Sequence, residues 1–264
     1  MFKFVIGMDK KIKLTIIGAG NIGGATALGL AKAARVTVTA RTQKTLDRFA
    51  GTGIITSPDN LEAVKDADIV IFAVKPWLME EVVKSVLPAL DLSVQTVVSM
   101  APGIKSAQLV EWLGPQAHIA YAIPNTAIEF GESMTFIVPV STSEQQTEQL
   151  RTLFEVAGST LVVKEDMLVA GTSLASCGIA YALRYIQASS NGGVQLGFGP
   201  EEAVDVVTQT VRGACAILEA RGKTPQEEID KVTTPGGMTL KGLDAMERSG
   251  FTDAVVSGLK ANSQ

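Results

Sequence analysis

The sequence predicts an α/β protein in two parts. Residues 1–164 read as a Rossmann-type, doubly wound parallel sheet, and residues 165–264 as an all-helical domain. Three observations carry this. Short β-branched runs alternate with helical stretches as far as about Val163, the pattern of a parallel sheet wrapped by crossover helices. The first run is joined to the first helical stretch by Gly18-Ala19-Gly20-Asn21-Ile22-Gly23. Beyond Lys164 the strand signal stops, while helical patterning persists to the end.

Strands are expected at Ile12 to Ile17, Val36 to Ala40, Ile69 to Val74, Val94 to Ser99 and Ile119 to Ile123, each a β-branched run bounded by turn residues. Helices are expected between them near Asn21 to Ala33, Lys44 to Phe49, Asn60 to Lys65, Met79 to Leu87 and Ser106 to Trp112. Met134 to Val138 and Thr160 to Val163 are candidate edge strands around a helix near Ser143 to Val156. In the second part, Asp166 to Ser189 is apolar, rich in small residues and of helical length. Gly199-Pro200-Glu201-Glu202 opens a further helix, with proline in its first turn and acids against the dipole, and Gly222 stops it. Thr224-Pro225-Gln226-Glu227 has the spacing of a capping box. Two more helices are expected, one closing at Ser249-Gly250 and one over Thr252 to Lys260.

Composition narrows the function. The chain has 264 residues, 46% of them hydrophobic, and a formal net charge of -4, so it lacks the basic footprint of a nucleic-acid or anionic-membrane binder. A small-molecule partner is expected. Cys177 and Cys215 lie in apolar helical patterns without metal-ligand spacing and are expected to be buried, reduced thiols; no metal site is indicated. The first eight residues are too short for a signal peptide, Met8 is a candidate alternative start, and no uninterrupted apolar run reaches spanning length, so a cytoplasmic protein is expected. A helical region rich in Ala, Val and Gly is expected to bury its faces in a subunit interface, with a compact monomeric helical domain as the alternative.

Two segments carry chemistry. In the glycine turn, Gly18 permits the tight bend, Gly20 the approach of a diphosphate and Gly23 close packing of the helix. A site for NAD usually carries an acid after the second strand; here the chain reads Thr39-Ala40-Arg41-Thr42. Arg41 and Thr42 suit a 2′-phosphate, which favours NADP(H), with NAD(H) as the alternative. Val74-Lys75-Pro76, Ser99-Met100-Ala101-Pro102-Gly103 and Ile123-Pro124-Asn125-Thr126 all end strands on the edge where ligands bind, and the three ends are placed around the nicotinamide. Lys75 is open between a catalytic role, a structural one and a ribose contact. The only histidine, His118, reads as structural.

The second segment is Val232-Thr233-Thr234-Pro235-Gly236-Gly237-Met238-Thr239-Leu240. With Pro235 in the first turn of a helix, the glycines would leave backbone N–H groups uncovered at the positive end of a helix dipole, where an anion binds, and Thr239 adds a hydroxyl. By its residues alone the segment is equally an ordinary loop before a helix.

The motifs GAGNIGG, AVKP, SMAPG, IPNT and VTTPGGMTLKGLDAME, in this order across nearly the whole chain, resemble the pyrroline-5-carboxylate reductase family. The resemblance implies an oxidoreductase acting on a C=N bond, which reduces 1-pyrroline-5-carboxylate to L-proline with NAD(P)H in the last step of proline biosynthesis. It also implies a helical dimerisation domain and dimers that assemble into decamers. At matched positions, Gly236, Gly237 and Met238 hold the substrate carboxylate, and Thr239 bonds the ring nitrogen and assists proton transfer. Gly18, Ala19, Gly20, Asn21, Ile22, Gly23, Arg41, Thr42, Asn60, Ala73, Val74, Lys75, Pro76, Met100, Ala101 and Pro102 hold the cofactor. Three places depart from the family: Ala175-Ser176-Cys177-Gly178-Ile179 stands where Ser-Gly-Ser-Gly-Pro is usual, Ala127 replaces a proline, and Pro102 stands where a small residue is common. Two alternatives follow: a reductase of another cyclic imino acid, or an NADPH-binding regulatory protein without catalysis.

Overall fold

The computed structural model describes residues 11–262, and the expectations for the N-terminal segment and for Met8 lie outside them. Eight strands form one sheet: β1 (Ile12–Ile17), β2 (Ala34–Thr39), β3 (Ile55–Ser57), β4 (Ile69–Phe72), β5 (Thr96–Ser99), β6 (His118–Ile123), β7 (Ser133–Pro139) and β8 (Gly158–Val162). Their spatial order is β3-β2-β1-β4-β5-β6-β7-β8. β1 is followed in sequence by β2 on one side and faces β4 on the other. The crevice beyond their carboxyl ends is therefore the topological switch point of the fold.

The helices accompanying the sheet are α1 (Asn21–Leu30), α2 (Gln43–Leu46), α3 (Asn60–Val64), α4 (Met79–Val86), α5 (Ser106–Leu113) and α6 (Glu144–Glu155). Side chains alternate across each strand, so one sheet buries two apolar layers. Leu14, Ile16, Val36, Val38, Ile69 and Ile71 pack with Leu30 of α1, and the same layer contains Leu150 and Phe154 of α6. Ile17, Val70, Phe72, Val97, Ile119 and Tyr121 pack in the opposite layer with Met79 and Val83 of α4 and Leu109 of α5.

The sheet is not wholly parallel. β6 and β7 pair antiparallel, because only Pro124 to Glu132 joins them, and that length holds a single 3₁₀ turn (Thr126–Phe130) rather than a crossover. Of the two expected edge strands, β7 lies inside the sheet and β8 forms one edge, opposite β3 at the other. The three-residue strand β3 is an addition to the expected set; it is too short to show a period.

Contacts divide the chain after Ser176 into two compact units, and the second comprises helices alone among the described residues. Between β8 and the division, a 3₁₀ turn (Glu165–Met167), α7 (Leu168–Gly171) and a π-helical turn (Thr172–Cys177) run on into α8 (Gly178–Gln195). The expected long helix is thus interrupted by a widened turn. Taken whole, Glu165–Gln195 is long and apolar enough, by length and composition alone, to cross a membrane. It holds no uninterrupted apolar run of that length, since Arg184, Gln187, Ser189, Ser190 and Asn191 interrupt it.

The second unit continues with α9 (Pro200–Arg221), α10 (Pro225–Val232), α11 (Met238–Arg248) and α12 (Phe251–Ala261). Gly222 ends α9 in the left-handed conformation, φ 58°, and Thr224 and Glu227 cap α10 reciprocally. α8 and α9 pack closely where a Cβ on Gly193 would lie 3.2 Å from that of Ala203. Among the described residues after Ser176, only Ser190 and Ala203 are buried, and Leu183, Tyr185, Val204 and Val206 are all exposed. Cys215 is exposed and Cys177 half-buried, which corrects the expectation of two buried thiols. Both stand on helices whose apolar faces find too few partners within the chain.

Candidate functional site

The parallel registers bring the strand ends into line. Ile17 pairs with Thr39 and with Phe72, and Phe72 pairs with Ser99. The residues just beyond, Gly18, Ala40, Ala73 and Met100, therefore share one edge. Gly18 and Ala19 both donate their N–H to Thr39 O, at 3.2 and 2.9 Å, and Ala73 N–H donates to Ile17 O at 2.9 Å.

Each glycine of the turn has its own reason. Gly18 has φ 102°, and a Cβ there would lie 2.8 Å from Ala73 O. A Cβ on Gly23 would lie 2.0 Å from Gly18 O. Around Gly20 nothing lies within 4 Å of a built Cβ, so the chain leaves the space above it open. Gly20 is also the N-cap of α1 and provides no side-chain cap, so the first N–H groups of Asn21, Ile22 and Gly23 face that space. A diphosphate fits such a cradle through backbone donors and the helix dipole. Ala19 is buried beneath it.

After β2, Arg41 is exposed and in no ion pair among the described residues. Thr42 is the N-cap of α2: its Oγ1 accepts from Thr45 N–H at 3.4 Å and lies 2.9 Å from Thr45 Oγ1. The hydroxyl expected to meet a 2′-phosphate thus has a structural task as well. Asn60 is the first residue of α3, half-buried behind the Asp59 cap. Lys75 is exposed ahead of a 3₁₀ turn that Pro76 opens, and Ala73 and Val74 are half-buried.

Met100 prolongs β5, its N–H donating to Phe72 O at 2.9 Å, and its sulfur lies 3.8 Å from the Thr26 hydroxyl of α1. Met100 and Ala101 are buried while Pro102 is exposed. The turn after β6 is seated on the same helix: a Cβ on Gly29 would lie 2.2 Å from Ile128 O. His118 stands at the opposite, amino end of β6, with Nε2 3.4 Å from Ser93 O, away from the carboxyl edge.

Two further groups at this edge, Asn125 and Ser176, have no individual role legible in the sequence. Asn125 is buried; its Oδ1 accepts from Ala127 N–H at 3.0 Å and its Nδ2 donates to Ala175 O at 3.4 Å. Ser176 Oγ donates to Pro124 O at 3.1 Å. The π-helical turn is therefore docked on the loop after β6, and the departure at Ala175 to Ile179 begins within it. Thr172 Oγ1 in the same turn is buried with no hydrogen-bond partner.

Within the second unit, the segment ahead of α11 corrects the expectation for Pro235. Thr234-Pro235-Gly236-Gly237 is a turn closed by Gly237 N–H donating to Thr234 O at 2.9 Å, with Gly236 at φ 77°, and the helix begins only at Met238. The Gly237 N–H is thereby used. Gly237 becomes the N-cap, where a Cβ would lie 2.6 Å from Thr234 Oγ1, and no side chain caps the helix. The open donors are the N–H groups of Met238, Thr239 and Leu240. Met238 is 90% exposed, so the donors sit at an accessible helix end. Two hollows lie elsewhere: one of about 480 Å³ beside Met246 and Phe251, and one of about 270 Å³ beside Lys13, Arg35 and Asp66.

Residues 165–264 match the family described as pyrroline-5-carboxylate reductase dimerisation, and residues 13–103 match NADP oxidoreductase coenzyme F420-dependent. Pyrroline-5-carboxylate reductase 2 of Dictyostelium discoideum is 31% identical over 95% of this chain and 91% of its own length. The chain belongs to the pyrroline-5-carboxylate reductase family. Pyrroline-5-carboxylate reductase 1 of the same organism is also 31% identical over 95% of this chain, which spans about half, 48%, of that longer relative. The Plasmodium falciparum pyrroline carboxylate reductase, solved with NADP bound, superposes with a TM-score of 0.86 at 25% identity over 95% of both chains. Membership makes the chain an NAD(P)H-dependent oxidoreductase.

Proposed function

We propose that the protein reduces 1-pyrroline-5-carboxylate to L-proline, the last step of proline biosynthesis, with NADPH as the preferred donor and NADH as the lesser one. The observation that carries the substrate is the turn and uncapped helix start at Gly236 to Leu240, where the N–H groups of Met238, Thr239 and Leu240 have no intrahelical partner and Thr239 is the second helical residue. A carboxylate beside an imine nitrogen has matching groups.

Bound NADPH supplies a hydride from its nicotinamide ring. The protein's part is binding and orientation. The cradle of Gly18, Ala19, Gly20, Asn21, Ile22 and Gly23 takes the diphosphate, and Arg41 and Thr42 the 2′-phosphate. Asn60, Ala73, Val74, Lys75 and Pro76 complete the cofactor cleft, and Met100, Ala101 and Pro102 flank its reactive end. Gly236 and Gly237 shape the turn, the N–H groups of Met238 and Thr239 hold the substrate carboxylate, and Thr239 Oγ1 bonds the ring nitrogen. Hydride addition to the carbon of a protonated imine would turn the C=N π pair into the nitrogen lone pair, and the nitrogen would keep its proton beside Thr239. A protonated imine needs no strong acid, so positioning supplies most of the rate.

The helical unit is read as a dimerisation domain, with decamers built from dimers as the larger form and cytoplasm as the compartment. We read the functional boundary as 164/165; a dimerisation match that begins at residue 165 supports this reading. Substrate-dependent oxidation of NADPH by the purified protein tests the function; no turnover of 1-pyrroline-5-carboxylate ends it. One second reading is favoured by the π-helical turn at the departure from the family pattern: a six-membered cyclic imino acid as the better substrate. Rates on five- and six-membered rings separate the two.

A further inference from the structure

We infer that Glu165 is a positioning residue for hydride transfer, acting through Ser106 on the arch Ala101 to Lys105; this rests on the proposed reductase reading. The arch follows β5 at the carboxyl edge and is held at two feet. At the near foot Met100 N–H donates to Phe72 O at 2.9 Å and Ala101 N–H to Ser99 Oγ at 3.2 Å. At the far foot the buried Tyr121 donates its hydroxyl to Ile104 O at 2.7 Å. Glu165 then takes both donors of Ser106: the N–H on Oε1 at 2.8 Å and the hydroxyl on Oε2 at 2.6 Å.

Ser106 is the first residue of α5, and the residue before it, Lys105, carries a cation where a helix needs an acceptor. Glu165 provides that acceptor from 59 residues away. The same stretch of chain continues through α7 to the π-helical turn, where Ala175 and Ser176 hold the loop after β6 through Asn125 and Pro124. Residues 165–176 thus grip both loops that flank the cofactor's reactive end, and they set the distance between them. Along the top of the arch, exposed Pro102 and Gly103, at φ 91°, make no side-chain hydrogen bond among the described residues, and beyond Tyr121 and Glu165 the far foot is held only by Lys105 N–H donating to Gln108 Oε1 at 3.0 Å.

The test is kinetic, on the full-length protein, with NADPH carrying deuterium at the transferred position and 1-pyrroline-5-carboxylate as acceptor. Glu165→Ala and Ser106→Ala are expected to lower kcat about tenfold and to enlarge the isotope effect, because misplacement acts on the chemical step. NADPH affinity stays within about twofold of wild type, since the diphosphate cradle is untouched. Ser106→Thr, which keeps both donors, retains most of the activity. If Glu165→Ala fails to fold, Ser106→Ala makes the same comparison with Glu165 in place. An active wild type whose variants lose thermal stability but keep kcat and the isotope effect overturns the inference alone. A wild type that reduces no cyclic imino acid overturns the functional reading and this inference with it.

Discussion

Gly23 and Gly18 approach so closely that a methyl group built on Gly23 would lie 2.0 Å from the Gly18 carbonyl oxygen. This contact fixes where α1 leaves the sheet, so the cradle's shape is a packing property before it is a binding property. Gly20, in the same turn, has open space instead. The two positions are expected to fail differently. Gly23→Ala destabilises the fold by about 1–3 kcal/mol through overpacking. Gly20→Ala leaves the unfolding midpoint nearly unchanged but weakens NADPH binding, because its new methyl occupies ligand space. Thermal unfolding with and without NADPH measures both; equal effects at the two sites would contradict the division.

Arg41 stands exposed just beyond β2, unpaired among the described residues, and available for a phosphate. A charge-assisted hydrogen bond contributes about 1.5–3 kcal/mol. Arg41→Ala is therefore expected to raise KM for NADPH about 10- to 100-fold while changing KM for NADH little. The readout is the ratio of kcat/KM for the two cofactors, and an unchanged ratio removes Arg41 from the site.

Thr239 is the second residue of α11, in the uncapped first turn that leaves its backbone donors open. Thr239→Ala keeps the helix, since alanine is the better helix former, and removes only the hydroxyl. Loss of one transition-state hydrogen bond predicts a fall in kcat of about 10- to 100-fold with NADPH affinity retained. Thr239→Ser should recover much of the rate. Equal loss of cofactor affinity would argue against the assigned role.

Tyr121 predicts alkaline behaviour. Burial, with a smaller push from the Glu165 charge, raises its hydroxyl above the usual tyrosine value. The fold therefore favours the protonated form, and the stabilisation is intact below about pH 10, the ordinary value, and is lost as pH rises beyond it. Tyr121→Phe should flatten that alkaline decline. At neutral pH it should cost about 1–3 kcal/mol for the unpartnered Ile104 carbonyl. Denaturant midpoints across the alkaline range check both.

What was legible in the sequence was local. The Gly18 to Gly23 turn, the Thr224 box and the Gly222 stop each depend on residues within one or two turns, and spacing shows them. β3 was invisible because Ile55–Ser57 has no room for a period. The antiparallel β7 depends on how far the chain travels between strands, which residue pattern does not encode. Pro235 suits either a helix start or the second position of a turn, and only the Gly237 to Thr234 bond decides between them. Glu165 and Ser106 are 59 residues apart, and neither carries a sign of the other. Cys177 and Cys215 lie in apolar helical patterns yet stay half-buried and exposed, because such a pattern does not by itself mean burial within one chain.

The exposure of these helices leads to a prediction about assembly. The second unit buries only Ser190 and Ala203 among its described residues, while Leu183 is 59% exposed and Val206 51%. Helices with so little buried surface lack the apolar burial that offsets chain entropy, and matching faces of a second copy would supply it. Folding is then linked to association, so the unfolding midpoint should rise with protein concentration. A charge inserted into the face, as in Leu183→Asp or Val206→Asp, should release a smaller species in sedimentation and lower the midpoint. Solvated surface leucines and valines would instead tolerate the change within about 0.5 kcal/mol. A midpoint that stays constant over about a hundredfold dilution, with a monomer by sedimentation, would sink the assembly reading; a constant midpoint with an intact oligomer would mean only that dissociation lies below that concentration range.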